Sequence, residues 1–187
     1  INKASSQTSL SFDKNAPQVY GTSIIPSCSL ISGQGTATLT LNYNAISSGT
    51  TITLGVGSWN FNCSYPGNQN YTSSSNFSVF VINKSNPILD LIINPSENVL
   101  SGTQTSITTS CPSQLTCNLY RNNLLVTAPD IQTLTSGAYV YIYNTTGNQN
   151  YTSVSISKML NISSSCINND YDLDGWNITA SCNYNNI

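Results

Sequence analysis

The residues whose types and spacing are best suited to chemistry lie near the end of the chain, in Asp170-Tyr171-Asp172-Leu173-Asp174-Gly175-Trp176. Carboxylates at alternate positions, followed by a glycine that permits a sharp turn, form the first half of a calcium loop, and hard oxygen ligands at that spacing suit Ca²⁺. Asp170, Asp172 and Asp174 would supply side-chain oxygens, and Trp176 its backbone carbonyl. The second half departs from the pattern, because Ser181 stands where a bidentate glutamate would complete the loop. The alternative is an Asx-rich turn pinned by cysteines, with no ion.

Other chemistry has few parts to work with. The chain has no histidine, its only glutamate is Glu97, and charged residues make up 6 % of the composition. A nucleophile with a base, or a pair of carboxylates across a cleft, cannot be assembled from these residues, so a non-enzymatic protein is expected. Nucleic-acid binding is not expected either: it needs several cations on one face, and the chain has five Lys plus Arg in all, scattered along it. No apolar run approaches the length of a membrane-spanning helix. The first residue is Ile1 and no signal peptide is visible, which suggests a processed or excerpted chain.

Asparagine offers a different kind of site. Sequons for N-glycosylation occur at Asn62, Asn70, Asn76, Asn83, Asn144, Asn150, Asn161 and Asn177. Their number is about what an Asn-, Ser- and Thr-rich composition yields by chance, so placement matters more than count. If Trp59, Phe61 and Cys63 face a core, Asn62 faces solvent; the same alternation turns Asn76 and Asn144 outward, while Asn70, Asn83, Asn150 and Asn161 fall in turns or linkers. A chain so poor in charge would gain solubility from N-linked glycans, and several of these sites are expected to be occupied.

The elements that carry these residues are repeated. Gly-Asn-Gln-Asn-Tyr-Thr-Ser occurs at residues 67–73 and again at 147–153, each time after an aromatic alternation: Trp59, Phe61, Cys63, Tyr65, then Tyr139, Tyr141, Tyr143. Ile1-Asn2-Lys3 likewise matches Ile82-Asn83-Lys84. Period-2 alternation between clusters of Gly, Asn, Ser and Pro predicts strands, and no helical period is present. The expected organisation is all-β: one sandwich over residues 1–82, a second over 83–160, and a tail over 161–187 that holds three of the six aspartates.

Modules of this size bury a modest fraction of their surface and need staples. The six cysteines fit that need as disulfides formed in an oxidising compartment, and the chain is expected to be extracellular. Six cysteines allow about 15 connectivities, which the repeat narrows. Aligning Cys28 with Cys111, the set it favours is Cys28 to Cys63 across the first sandwich, Cys111 to Cys117 locally because Tyr143 stands where Cys63 would repeat, and Cys166 to Cys182 in the tail.

An Ile-Asn-Lys-Ala opening, a glycine-led aromatic strand at Gly57-Ser58-Trp59-Asn60-Phe61 and the Gly-Asn-x-Asn-Tyr turn resemble the tandem Ig-like repeats of bacterial and archaeal surface proteins. The tail resembles their DxDxDG repeats, in which a later Cys-flanked acidic cluster completes the ion site; here that cluster reads Cys182-Asn183-Tyr184-Asn185-Asn186, whose asparagines carry no charge, so affinity is expected in the weak extracellular range. The resemblance implies Ig-like sandwiches serving as a spacer, stalk, adhesin or filament element, and it implies no chemistry. Some surface Ig-like domains also carry Lys to Asn isopeptide crosslinks, for which Lys14, Lys84 or Lys158 beside Asp90 or Glu97 are candidates.

Strand parity assigns Phe80, Ile82, Val140 and Ile142 to outer faces, as an apolar patch recurring in both modules. A head-to-tail contact between copies that does not close would propagate as a filament, and a terminal strand, from residues 1–12 or the tail, is a candidate donor to a neighbour's sheet edge. The function expected is a subunit of a glycosylated surface filament, stalk or layer, a homopolymer with Ca²⁺ as a candidate ligand. The alternative is an adhesin module that contacts a glycan or a host protein through Tyr71, Tyr151 and the asparagines of the repeated turns.

Overall fold

A computed structural model of the chain describes residues 2–164, and all its regular elements are strands. Two compact units are present: one holds the residues through Pro87 together with Thr146–Ser153, the other Ile88–Thr145 together with the strand that starts at Val154. The strands of the first unit are β1 (Gln7–Phe12), β2 (Gln18–Val19), β3 (Ser23–Ile24), β4 (Pro26–Ser32), β5 (Thr38–Leu41), β6 (Asn44–Ile46), β7 (Ile52–Thr53), β8 (Gly57–Tyr65) and β9 (Ser74–Asn83). Those of the second are β10 (Asp90–Asn94), β11 (Asn98–Leu100), β12 (Gln104–Ser110), β13 (Asn118–Arg121), β14 (Leu124–Val126), β15 (Asp130–Thr133), β16 (Gly137–Thr145) and β17 (Val154–Ser163). The last strand runs past residue 160, so the tail expected from 161 begins inside the sandwich.

Each unit is a β-sandwich. In the second, a five-stranded sheet ordered β11-β17-β16-β13-β14 faces a three-stranded sheet ordered β10-β12-β15. The first repeats the five-stranded order as β2-β9-β8-β5-β6, and its other layer consists of β1 on β4 and β3 on β7. β3 and β4 follow the course of β12 with a break before Pro26, whose nitrogen cannot donate to a ladder. The chain changes sheets between β1 and β2 and again between β10 and β11, each time through a cis X-Pro bond, Ala16–Pro17 and Asn94–Pro95. After each change the short strand runs parallel to the last strand of its unit.

Alternation sets the cores. Phe61, Cys63 and Tyr65 on β8, and Tyr141 and Tyr143 on β16, are buried. Phe12 closes the first core with its ring 5.0 Å from Phe61 and 4.9 Å from Phe80. Phe80 and Ile82 are themselves core residues, each 1 % exposed, which corrects their assignment to an outer surface. The reason is register: Phe80 lies opposite Trp59 and Ile82 opposite Gly57, and residues paired across a ladder share a face. β9 is apolar at both parities, and its outward members are Phe77 and Val79.

The layers are joined by Cys28–Cys63 in the first unit, while Cys111–Cys117 closes a short loop in the second. Cys28 and Cys111 are not equivalent positions, contrary to the sequence alignment of the modules. Ile24 faces Ile52 and Thr105 faces Gln132, so Ile24 corresponds to Thr105 and, four residues on, Cys28 to Thr109. Cys63 corresponds to Tyr143 through their shared partners Leu39 and Leu119.

Candidate functional site

The repeated heptapeptide forms a turn that binds the segment leading into its own module. Gly67 adopts φ 81°, and a Cβ there would approach the Tyr71 carbonyl to 2.8 Å, so both conformation and space require glycine. Asn68 Oδ1 accepts the N–H groups of Asn70 and Tyr71 at 2.8 and 2.9 Å, an Asx cap that fixes the turn. The carbonyl of Asn70 then accepts the Ala4 N–H at 2.8 Å, and the Thr72 N–H donates to the Ala4 carbonyl at 2.9 Å. The second copy repeats this with Gly147, Asn148 and Tyr151: the Ser85 N–H donates to Asn150 and the Thr152 N–H to Ser85, both at 3.0 Å. Lys84 Nζ adds a bond to the Asn148 carbonyl at 2.6 Å. Both copies of the turn thus require the glycine and the asparagine that follows it.

This geometry also alters the reading of Tyr71 and Tyr151 as exposed contact residues. Both are half-buried, each bridged to its lead segment, and the Tyr151 ring meets the edge of Tyr20 at 5.4 Å within the first unit.

Of the sequon asparagines, Asn70, Asn76 and Asn83 are exposed, and Asn144, Asn150 and Asn161 are half-buried. Asn62 is also half-buried, with Oδ1 enclosed and without a hydrogen-bond partner, so it does not stand free in solvent. Its place on β8, between Thr40 and Phe77, accounts for the cover. Asn83 and Asn161 belong to strands β9 and β17 rather than to linkers, and Asn161 Nδ2 donates to Asn98 Oδ1 at 3.0 Å. Asn177, the calcium-type residues Asp170, Asp172, Asp174 and Trp176, and Cys166 and Cys182 lie outside the described residues.

On the outer face of the second five-stranded sheet, Tyr120 lies opposite both Leu125 and Ile142, and Val140 lies opposite Met159. Val140 is 40 % exposed and Ile142 half-buried. The corresponding face of the first unit carries Phe77 and Val79.

Lys14, Lys84 and Lys158 are engaged at the surface. Lys158 pairs with Glu97 at 3.1 Å and Lys14 with Asp13 at 2.8 Å, and neither has a buried acid beside it. Among the described residues the buried acid is Asp130, which accepts Arg121 Nη1 and the Tyr141 hydroxyl, each at 2.9 Å. No sequence pattern announced this cluster, because its three members come from β13, β15 and β16. At the matching places of the first unit stand the apolar Leu41 and Phe61 and the exposed Thr50, so the ion pair has no counterpart there.

Burial pushes the Tyr141 phenol up to about 12; the Asp130 carboxylate adds to the rise and Arg121 works against it. A folded-state value above the ordinary 10.0 means that the contribution to stability is complete below pH 10 and is lost as pH rises toward 12. Alkaline unfolding should therefore steepen over that window in the native chain and be less steep in Tyr141→Phe. Equal alkaline profiles would contradict this assignment.

Among the described residues no cluster of His, Cys, Asp or Glu could hold a metal ion, and no helix is long and apolar enough to cross a membrane. No protein-family model and no curated protein matches the chain. Among solved structures it is similar to the fibronectin(III)-like modules of Clostridium thermocellum CbhA, at 14 % identity and a TM-score of 0.33, over 83 % of this chain and 95 % of that one. That degree of overlap adds nothing to the sandwich architecture read directly from the strands.

Proposed function

We propose that the chain is a non-enzymatic structural subunit of an extracellular, N-glycosylated filament, stalk or layer, assembled through its Ig-like modules. The observation that carries this reading is the turn that binds its own lead segment, present twice with the same donors and acceptors. A module that holds its incoming chain in this way can be joined in series without a flexible linker, which is what a load-bearing or space-filling element requires. Support also comes from the two disulfides, which suit an oxidising compartment, and from the apolar side chains left on the outer sheet faces. The half-burial of Tyr71 and Tyr151 weighs against a glycan-binding adhesin built on the repeated turns.

In this reading N-linked glycans sit first on the exposed Asn70, Asn76 and Asn83, and Ca²⁺ on the aspartates of the tail is an accessory ligand. A structural subunit self-associates without any ligand. Sedimentation of the purified chain over a wide concentration range should show oligomers growing with concentration, whereas a monomer at every concentration would remove the reading.

A further inference from the structure

Asn62 and Phe77 face each other across the β8–β9 ladder, on the outer side of the first five-stranded sheet. Inward parity belongs to Phe61 and Cys63 on β8 and to Phe80 and Ile82 on β9, so both side chains leave the same outer face, with Cβ atoms about 5 Å apart. Phe77 is 60 % exposed, and Val79, the next outward residue on β9, is exposed as well. Asn62 heads the sequon Asn62-Cys63-Ser64. Its carboxamide oxygen is enclosed without a partner, whereas Nδ2, the atom to which a sugar attaches, is not enclosed. The amide is thus set with its oxygen into the sheet and its nitrogen away from it.

No other strand sequon among the described residues has an exposed aromatic as its ladder partner. Asn76 lies opposite Cys63, Asn83 beside Val19, Asn144 opposite Asn118 and Ser155, and Asn161 opposite Ala138 and beside Asn98. In the second unit both members of the pair are replaced together: Ile142 stands where Asn62 would repeat, and Ser157 opposite it where Phe77 would. The neighbours differ in the same sense. Ile142 is flanked by Tyr120 and, beyond it, Leu125, whereas Asn62 is flanked by the smaller Thr40 and Ala45. The face around Phe77 therefore has room that its counterpart fills with side chains of the polypeptide.

We infer that Asn62 carries an N-linked glycan whose first sugar packs on the ring of Phe77. The inference rests on the N-glycosylated reading and gives one sequon a structural role. Attachment uses a lipid-linked sugar phosphate as donor: the bond from Asn62 Nδ2 to the anomeric carbon forms, the bond from that carbon to the phosphate oxygen breaks, the lipid phosphate leaves and an amide proton is released. It precedes folding, because in the folded chain Asn62 lies in mid-strand and Cys63 is bridged to Cys28. Once the ladder forms, the sugar is held beside Phe77 by a covalent tether, so the contact needs no second molecule. The C–H bonds on one side of a pyranose suit the negative face of an aromatic ring, and the contact takes apolar area of both out of water. The sugar hydroxyls remain solvated, which covers Phe77 without creating a new apolar surface.

Two measurements on the full chain produced in its source cells test this. Glycopeptide mass spectrometry should find sugar mass on Asn62. A bare Asn62 in chains whose Asn70, Asn76 or Asn83 carry sugar overturns the inference and leaves the glycosylated reading standing; bare asparagine at every sequon overturns both. The packing is read from a double-variant cycle. Ser64→Ala removes the sequon while keeping Asn62, and Phe77→Ser installs the residue type of the second unit. In denaturant unfolding, Phe77→Ser should raise the unfolding equilibrium constant about fivefold more in the chain glycosylated at Asn62 than in Ser64→Ala. Asn62→Gln, which removes the attachment atom itself, should give the same difference. Equal effects of Phe77→Ser with and without the sugar overturn the contact.

Discussion

Replacing Asp130 by alanine is expected to lower the unfolding free energy by about 3–5 kcal/mol, because it leaves a largely buried guanidinium without its partner and the Tyr141 hydroxyl without its acceptor. Asp130 is 5 % exposed and receives both donors on a single oxygen. Its value is local, since the corresponding place in the other sandwich is filled by apolar packing around Phe61 and Leu41. A second variant separates these contributions. Asp130→Thr with Arg121→Leu and Tyr141→Phe transplants the first unit's residues, and it should regain most of the lost stability because a buried ion pair is roughly exchangeable for well-packed apolar groups. Denaturant unfolding of both variants checks the pair of expectations. If the triple variant is as unstable as Asp130→Ala, the cluster does more than satisfy its own buried charge.

The two disulfides should differ in worth by an amount set by the chain they enclose. Cys28–Cys63 spans a sequence separation of 35 and Cys111–Cys117 one of 6. Loop-closure entropy then gives about 4 kcal/mol for the first and about 2 kcal/mol for the second. Replacing Cys28 and Cys63 together by alanine should accordingly cost more than replacing Cys111 and Cys117. The difference is reinforced by position: Cys63 is fully buried between the layers, whereas both members of the short loop are half-buried. Chemical denaturation of the two double variants measures the order directly. A larger loss from the short loop would mean that it carries the Pro112–Thr116 segment for a reason beyond chain entropy.

The strands and the duplication were legible because their signals are local and redundant. The glycines at 67 and 147 are required by backbone conformation and the asparagines at 68 and 148 by the side-chain oxygen that caps the turn, so these letters recur in both copies. Parity was legible only where one face is polar. On β8 the aromatic residues alternate with Asn and Ser, and the inward set is unambiguous. On β9, Phe77, Val79 and Val81 compete with Phe80 and Ile82, and only the ladder to β8 decides between them. The module alignment slipped at Cys28 because the offset between the repeats shortens by one residue between Cys28 and Leu39, and two cysteines near that point invited the wrong match. The Arg121, Asp130 and Tyr141 cluster was invisible for another reason: its residues are dispersed in sequence, and each by itself reads as an ordinary strand position.

The central claim is that this chain works as a repeated, glycosylated building block rather than as a catalyst or a ligand-binding monomer. Electron microscopy of native material, combined with its intact mass before and after enzymatic deglycosylation, tests that claim most directly. The account predicts regular assemblies whose subunits carry sugar mass removed by the enzyme; dispersed monomers with the bare polypeptide mass of 20.1 kDa would contradict it.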